Sequence, residues 1–180
     1  PVAGNLQVGH GCMKRIRPVL LQRRPREEVA RTIEKMRQAA VKSRGHGQRP
    51  AVDVKSGLGG IRDVEFLVQG LQLVHAPDHP DLLGGNTLRV LASLSHTGLL
   101  PAPAAGQLRD DYIFLRRIEH ALQIMDDRQI HCLPRAPEEL AALARRVAGI
   151  SVTTEDFQER LEACLSRIRA AYGTFLLQGT

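Results

Sequence analysis

Apolar residues recur along this chain every three or four positions, the spacing that lines one face of an α-helix, and no stretch alternates as a strand would. The clearest run, Ile61, Val64, Leu67, Val68, Leu71 and Val74, predicts a helix from about Ile61 to His75, ended by Ala76-Pro77. Upstream, Pro25 sits in a first turn, Glu27 and Glu28 follow, and Val29, Ile33, Met36 and Ala40 keep helical spacing. Lys42 and Arg44 fall near the end of that helix, so acid leads and base trails as the helix dipole favours, and Gly45 and Gly47 stop it. Downstream, Asn86 or Thr87 caps a helix bearing Leu88, Leu91 and Leu94, closed by Gly98. The longest predicted helix, about 40 Å at 1.5 Å per residue, runs from Ala102 to Gln129 with Leu108, Leu115, Ile118, Leu122 and Met125 as its buried stripe. Glu138 to Ala148 forms another helix, and Thr153 or Thr154 caps a last one carrying Phe157, Leu161, Cys164, Ile168 and Tyr172.

Between these elements the signals are weaker. Pro1 to Gly11 reads as an arm, followed by a short helix over Cys12 to Arg17 that Pro18 interrupts. Ala51 to Val54 reads as a short extended piece, and the Pro- and Gly-rich stretch from Pro77 to Asn86 as a loop. Long helices joined by short polar turns predict an all-α fold: an antiparallel up-and-down helical bundle with additional short helices. The expected division is residues 1–24 as an arm and short helix, and 25–180 as the bundle.

Composition adds limits. Aromatics make up 3% of 180 residues, with no tryptophan, so Leu, Ile, Val and Ala must fill the core. The formal charge of +6 tolerates a phosphate-rich partner without requiring one. Basic residues are mixed with acids and no aromatic platform accompanies them, which ranks nucleic acid low as a partner. Cys12, Cys132 and Cys164 are scattered and odd in number, arguing against a disulfide framework or a zinc site and for a reducing, cytoplasmic setting. No run approaches the roughly 18 apolar residues of a membrane span. The start lacks a methionine and begins in mid-phrase, as an excised fragment would.

The candidate chemistry concentrates in Asp53-Val54-Lys55-Ser56-Gly57-Leu58-Gly59-Gly60-Ile61-Arg62-Asp63-Val64-Glu65-Phe66. A glycine turn meets a helix start between two cations, Lys55 and Arg62, and helix N-termini attract anions. The plain alternative is a helix start with a glycine turn before it. Arg62, Glu65, Gln69 and Gln72 then share one face of the following helix. In the longest helix Arg116, Glu119, His120, Gln123 and Asp127 follow a similar line. The plain reading of both stripes is a solvated face with Arg–Glu pairs worth about 0.2–0.5 kcal/mol each. Asp63 points about 200° away from Glu65, at roughly 100° per residue, so these two acids form no local metal pair. The acidic doublets Asp110-Asp111 and Asp126-Asp127 read as surface, and no histidine set has metal-ligand geometry.

These motifs resemble a known family. The Asp-Val-Lys-x-Gly-x-Gly-Gly-Ile-Arg-Asp-Val-Glu-Phe-Leu-Val-Gln run is similar to the signature of the glutamine synthetase adenylyltransferases, and a looser version occurs in the PII uridylyltransferases. Gly98-Leu99-Leu100-Pro101, then Tyr112 through Gln123, then Gln129-Ile130-His131-Cys132-Leu133-Pro134 resemble the same family in the same order. The resemblance implies a helical domain that follows a nucleotidyltransferase sheet, in an enzyme that transfers AMP from ATP to a tyrosine of glutamine synthetase, or removes it by phosphorolysis. It implies ATP and Mg2+ in the intact enzyme and none bound to the fragment. It further implies glutamine synthetase, the PII signalling protein and the missing nucleotidyltransferase domain of the same chain as partners.

The family's Gly-Ser-x-Asp-x-Asp metal motif has no counterpart here, so no catalytic or metal-binding residue is assigned and the fragment alone is expected to be inactive. By the resemblance, Lys55, Gly59, Gly60, Arg62, Asp63 and Glu65 face nucleotide phosphates or the acidic metal-bearing sheet, with Asp63 or Glu65 orienting the arginine or a metal-bound water. Arg116, Glu119, His120 and Gln123 form the second candidate stripe. The competing reading is an interaction module that binds glutamine synthetase or PII without nucleotide contact. Which half of the parent enzyme is represented stays open, because His75-Ala76-x-x-His79-Pro80 resembles one half and Arg-Arg-Ile-Glu-His the other.

Overall fold

A computed structural model describes residues 5–42, 52–125 and 131–178, with the side chains of 40–42 outside the description. The described residues form seven α-helices: α1 (Leu6–Leu20), α2 (Arg26–Lys42), α3 (Ile61–His75), α4 (Thr87–His96), α5 (Ala102–Met125), α6 (Pro137–Ala148) and α7 (Thr154–Tyr172). A 3-10 turn over Pro80–Leu82 precedes α4, and a π-helical turn over Gly173–Gln178 continues α7. The fold is an all-α helical bundle. None of its described helices is long and apolar enough to cross a membrane.

The core follows from the apolar stripes. Helices α3, α5 and α7 pack on one another, α2 lies on α3, α4 bridges α3 and α5, and α6 bridges α5 and α7. Val64, Leu67 and Leu71 of α3 meet Leu115 and Ile118 of α5 and Phe157, Leu161 and Ile168 of α7 in one buried cluster. Each such side chain contributes about 1.5–3 kcal/mol when fully withdrawn from water. Helix starts are fixed locally: Asn86 accepts the Arg89 N–H at 3.0 Å and Thr153 Oγ1 the Asp156 N–H at 3.0 Å.

Several expectations change. Helix α1 begins at Leu6, because Asn5 caps it by accepting the Gln7 N–H at 2.8 Å, and it continues past Pro18 to Leu20. No residue of α1 is buried. Met36 is exposed, since α2 contacts the bundle only through Val29, Ala30 and Ile33 among its described apolar side chains. Asp111, read as surface, is buried at 4% exposure against Arg167 of α7, whose guanidinium donates to both oxygens at 3.0 and 2.6 Å. Asp110 next to it is exposed. The predicted extension of α5 to Gln129, with Asp126-Asp127, and the Arg44–Gly47 end of α2 lie outside the described residues, as does Ala51.

The extended piece before the glycine turn exists as an isolated antiparallel bridge between Asp53 and Cys132. Val54 N–H donates to His131 O and Leu133 N–H to Val52 O, both at 2.9 Å. This clip ties the start of the glycine turn to the chain that follows α5.

Candidate functional site

The glycine turn spends its backbone donors on itself. Asp53 Oδ1 accepts the N–H groups of Lys55 and Ser56, both at 2.8 Å. Gly60 N–H donates to Gly57 O, Ile61 N–H to Val54 O and Arg62 N–H to Lys55 O, each at 2.9 Å. Gly59 N–H donates to Asp63 Oδ2 at 2.6 Å. Gly59 and Gly60, expected to face nucleotide phosphates or the acidic sheet, therefore have no free N–H to offer an anion: both donors are occupied.

Packing explains the two glycines instead. Gly59 has φ +77°, and a Cβ there would sit 2.0 Å from the Leu165 carbonyl oxygen of α7. A Cβ on Gly60 would meet the carbonyl oxygens of Val54, Gly57 and Lys55 at 2.8–2.9 Å. The space over the turn is filled by protein backbone.

Asp63 also departs from its expected role. Its carboxylate, 2% exposed, takes a two-pronged bond from Arg37 of α2, Nε to Oδ1 at 2.7 Å and Nη2 to Oδ2 at 2.8 Å. It orients Arg37 and Gly59, not Arg62. The hydrogen bond to Asp63 is the main reason the Arg37 pKa is raised, with burial opposing it. Arg37 also lies 4.7 Å over the Tyr172 ring, whose hydroxyl donates to Glu34 at 3.2 Å. Burial and the nearby Glu34 push the Tyr172 phenol up, so it stays protonated.

What remains at the surface of the turn joins the second polar stripe. Lys55 Nζ lies 3.1 Å from Glu119 Oε1, and Arg116 Nη1 donates to Glu119 Oε2. His131 Nδ1, from the clip after α5, stands 3.6 Å from Oε1. Glu119 is 1% exposed, so a carboxylate read as part of a solvated stripe is buried beneath two cations that reach solvent. Its Oε1 has the Lys55 ammonium in ion-pair contact but no aligned hydrogen bond, and His131 Nδ1 likewise lacks one. One helical turn earlier, Tyr112 donates its hydroxyl to Glu65 Oε1 at 3.1 Å, and burial raises the Tyr112 pKa.

Thus Lys55 in the turn, Glu65 on α3, and Tyr112, Arg116 and Glu119 on α5 form one cluster at the α3–α5 junction, with the Arg62 backbone tied to Lys55 O beside it. Arg62 is half-buried and, among the described residues, makes no ion pair. His120 and Gln123 are exposed on α5 outside these contacts. Gln72, also part of the first stripe, is buried and donates to Leu82 O and to Gly84 O at 2.9 Å, holding the loop before α4.

Sequence reasoning missed Tyr112, His131 and Arg37 as partners. Tyr112 and His131 stand inside quoted motifs, so a signal existed for them; Arg37 has none, because its partner lies 26 residues away on another helix. Among the described residues no group of three His, Cys, Asp or Glu is placed to hold a metal.

A family model described as GlnD PII-uridylyltransferase matches residues 27–176. The bifunctional glutamine synthetase adenylyltransferase/adenylyl-removing enzyme of Mesorhizobium japonicum is 34% identical over 174 residues, covering 96% of this chain and 17% of the relative. The enzyme of that name from Agrobacterium fabrum is 30% identical over 182 residues, covering 100% and 18%. That from Ralstonia nicotianae is 40% identical over 119 residues, covering 63% and 12%. The chain thus spans less than a fifth of the length of these curated relatives.

Proposed function

The chain belongs to the family described as GlnD PII-uridylyltransferase, and from that premise we propose that it is the helical domain of a glutamine synthetase adenylyltransferase. In this reading the intact cytoplasmic enzyme transfers AMP from ATP to a tyrosine of glutamine synthetase, removes it by phosphorolysis, or does both. The domain alone transfers nothing. Its α3–α5 junction faces the nucleotide phosphates or the acidic surface of a nucleotidyltransferase domain, and PII acts on the same enzyme as a regulator.

One observation carries the reading: the family signature and the second motif meet in space, through Lys55 on Glu119 and Tyr112 on Glu65, with the backbone of Arg62 tied to that of Lys55 beside them. Lys55, Arg62 and Arg116 supply three positive charges against the carboxylates of Glu65 and Glu119. Phosphoryl-type transfer is helped chiefly by positioning and by charge placed where the transferring group and its leaving phosphates carry theirs. Arg62 offers the planar, always-charged donor set suited to a phosphate oxygen pair. Glu119, held from beneath, fixes where Lys55 and Arg116 stand.

Magnesium does not fit the carboxylates of this cluster. Glu119 is engaged by Lys55 and Arg116 and Glu65 by Tyr112, while Asp63, outside the cluster, is engaged by Arg37 and Gly59. The metal of the reaction belongs on other residues, and no step is assigned to it here.

The test is Arg62→Ala in the intact enzyme. The expected result is a loss of AMP transfer of about 100-fold or more, the scale of removing one donor aimed at developing charge, with melting temperature unchanged. Equal losses in activity and stability would make Arg62 structural. A second reading, docking of glutamine synthetase or PII on this domain, is favoured by α1, where Val8, Met13 and Val19 are exposed and nothing is buried. Val8→Glu with Val19→Glu should then raise the KM for glutamine synthetase and leave that for ATP alone.

A further inference from the structure

Arg37 lies on α2, and its polar and ring partners are Asp63, Glu34 and Tyr172, none of which belongs to the cationic cluster. Asp63 nevertheless carries its influence there. The oxygen that accepts Arg37 Nη2 also accepts the Gly59 N–H. Gly59 is the point where the turn approaches the Leu165 carbonyl so closely that a Cβ would sit 2.0 Å from its oxygen, so the turn and α7 are in close backbone contact there. From there the turn is stiff: Ile61 N–H on Val54 O and Arg62 N–H on Lys55 O tie the backbones of the two cation-bearing residues together. A displacement of Asp63 therefore moves Lys55 and Arg62 as a pair.

Arg37 is itself fixed. Its guanidinium lies over the Tyr172 ring, and Glu34, which accepts from Tyr172, also stands 3.5 Å from Arg37 Nη1. Four parts of the fold, α2, the glycine turn, α3 and α7, are thus referenced to one guanidinium. A lysine at this position has a single ammonium and cannot hold both Asp63 oxygens in the same plane.

From this geometry we propose that Arg37 is a positioning residue for the cationic cluster, acting through Asp63 and Gly59 to set where Lys55 and Arg62 stand. The kinetic part of its test rests on the function proposed above; the structural part does not. The bundle contains a control of the same chemistry, the Arg167–Asp111 pair between α7 and α5, which is also two-pronged and built on a buried carboxylate but holds no turn. If Arg37 contributed stability alone, the two pairs would behave alike.

The experiment compares Arg37→Lys with Arg167→Lys. In this chain, amide exchange at Gly59 should quicken at least tenfold in Arg37→Lys while amides in the middle of α5 are unchanged, and should not respond in Arg167→Lys. In the intact adenylyltransferase, Arg37→Lys should lower kcat/KM for ATP by about tenfold to a hundredfold, the cost of misplacing reacting groups by up to an ångström. The KM for glutamine synthetase should stay unchanged, and Arg167→Lys should alter neither constant at a similar loss of melting temperature. Tyr172→Phe, which releases Glu34 but leaves Arg37 in place, should move the same readouts in the same direction by less, and serves if Arg37→Lys folds poorly. Activity that falls in proportion to melting temperature for both lysine variants would overturn the proposal, as would unchanged Gly59 exchange. If Gly59 exchange responds but ATP kinetics do so only in Arg62→Ala, Arg37 is not a positioning residue. If Arg62→Ala itself leaves ATP kinetics intact, the proposed function fails while the exchange result still decides whether Arg37 sets the turn.

Discussion

Replacing Gly59 by alanine tests the packing of the signature turn most directly. The methyl group would lie 2.0 Å from the Leu165 carbonyl oxygen and 2.7 Å from its carbon, where ordinary contact begins near 3.4 Å. Helix α7 would have to retreat by about 1.4 Å at that point. It cannot do so cheaply, because Phe157, Leu161, Cys164, Ile168 and Tyr172 of the same helix are buried in the core. Three costs combine. The φ of +77° disfavours an L side chain by about 1–2 kcal/mol. Overpacking adds about 1–3 kcal/mol, and loosening the Gly59 bond to the buried Asp63 adds about 1–3 kcal/mol. The expected loss is about 3–8 kcal/mol, a large share of the 5–15 kcal/mol that holds a typical domain together. Gly98 supplies the comparison: its φ is +72°, yet nothing lies within 4 Å of a Cβ there. Gly98→Ala should therefore cost only the conformational part, about 1–2 kcal/mol. Urea unfolding of the two variants, followed by circular dichroism, measures both. Losses within 1 kcal/mol of each other would refute the close approach of the turn to α7.

Three further outcomes follow from buried groups. Glu119→Ala should cost about 2–3 kcal/mol by denaturant unfolding, below the 3–5 kcal/mol of a fully buried pair because Lys55 and Arg116 reach solvent; a neutral result would mean that these two ion pairs do not hold the fold together. His75 has its pKa lowered from 6.5, first by burial and then by Arg26 and His79, with Asp78 opposing. The unfolded chain therefore takes up the proton first, so the contribution of neutral His75 is complete above pH 6.5 and is lost as the pH falls through its folded value. His75→Gln should flatten that part of the stability–pH curve, and an unaltered curve would refute the assignment. The Cys164 thiol is pushed up to about 12, chiefly by burial, so a thiol reagent at pH 8 should modify the exposed Cys12 and Cys132 and reach Cys164 only after denaturation.

Much of the architecture was legible one residue at a time. The apolar period of Ile61 to Val74 gave α3 its observed bounds, and the cap candidates Asn86 or Thr87 and Thr153 or Thr154 placed the starts of α4 and α7 to within a residue, Asn86 and Thr153 being the caps observed, because period and capping are local properties of the chain. The signature was legible as a position in the chain as well. The roles within it were decided in three dimensions. Gly59 and Gly60 look in sequence like an open anion cradle; only the arrival of Leu165, 106 residues after Gly59, shows why Gly59 lacks a side chain, while Gly60 is crowded by the carbonyls of its own turn. Asp63 looks in sequence like an orienter of the signature arginine, and Glu119 like part of a solvated helix face. Burial against Arg37 in one case, and beneath Lys55 and Arg116 in the other, depends on which helices cross, and periodicity carries no information about crossing partners. The sequence by itself determined most of the helices and the position of the signature, because both are local; the tertiary structure decided which charged groups, such as Asp63, Asp111 and Glu119, are buried inside the bundle, because that depends on which helices meet.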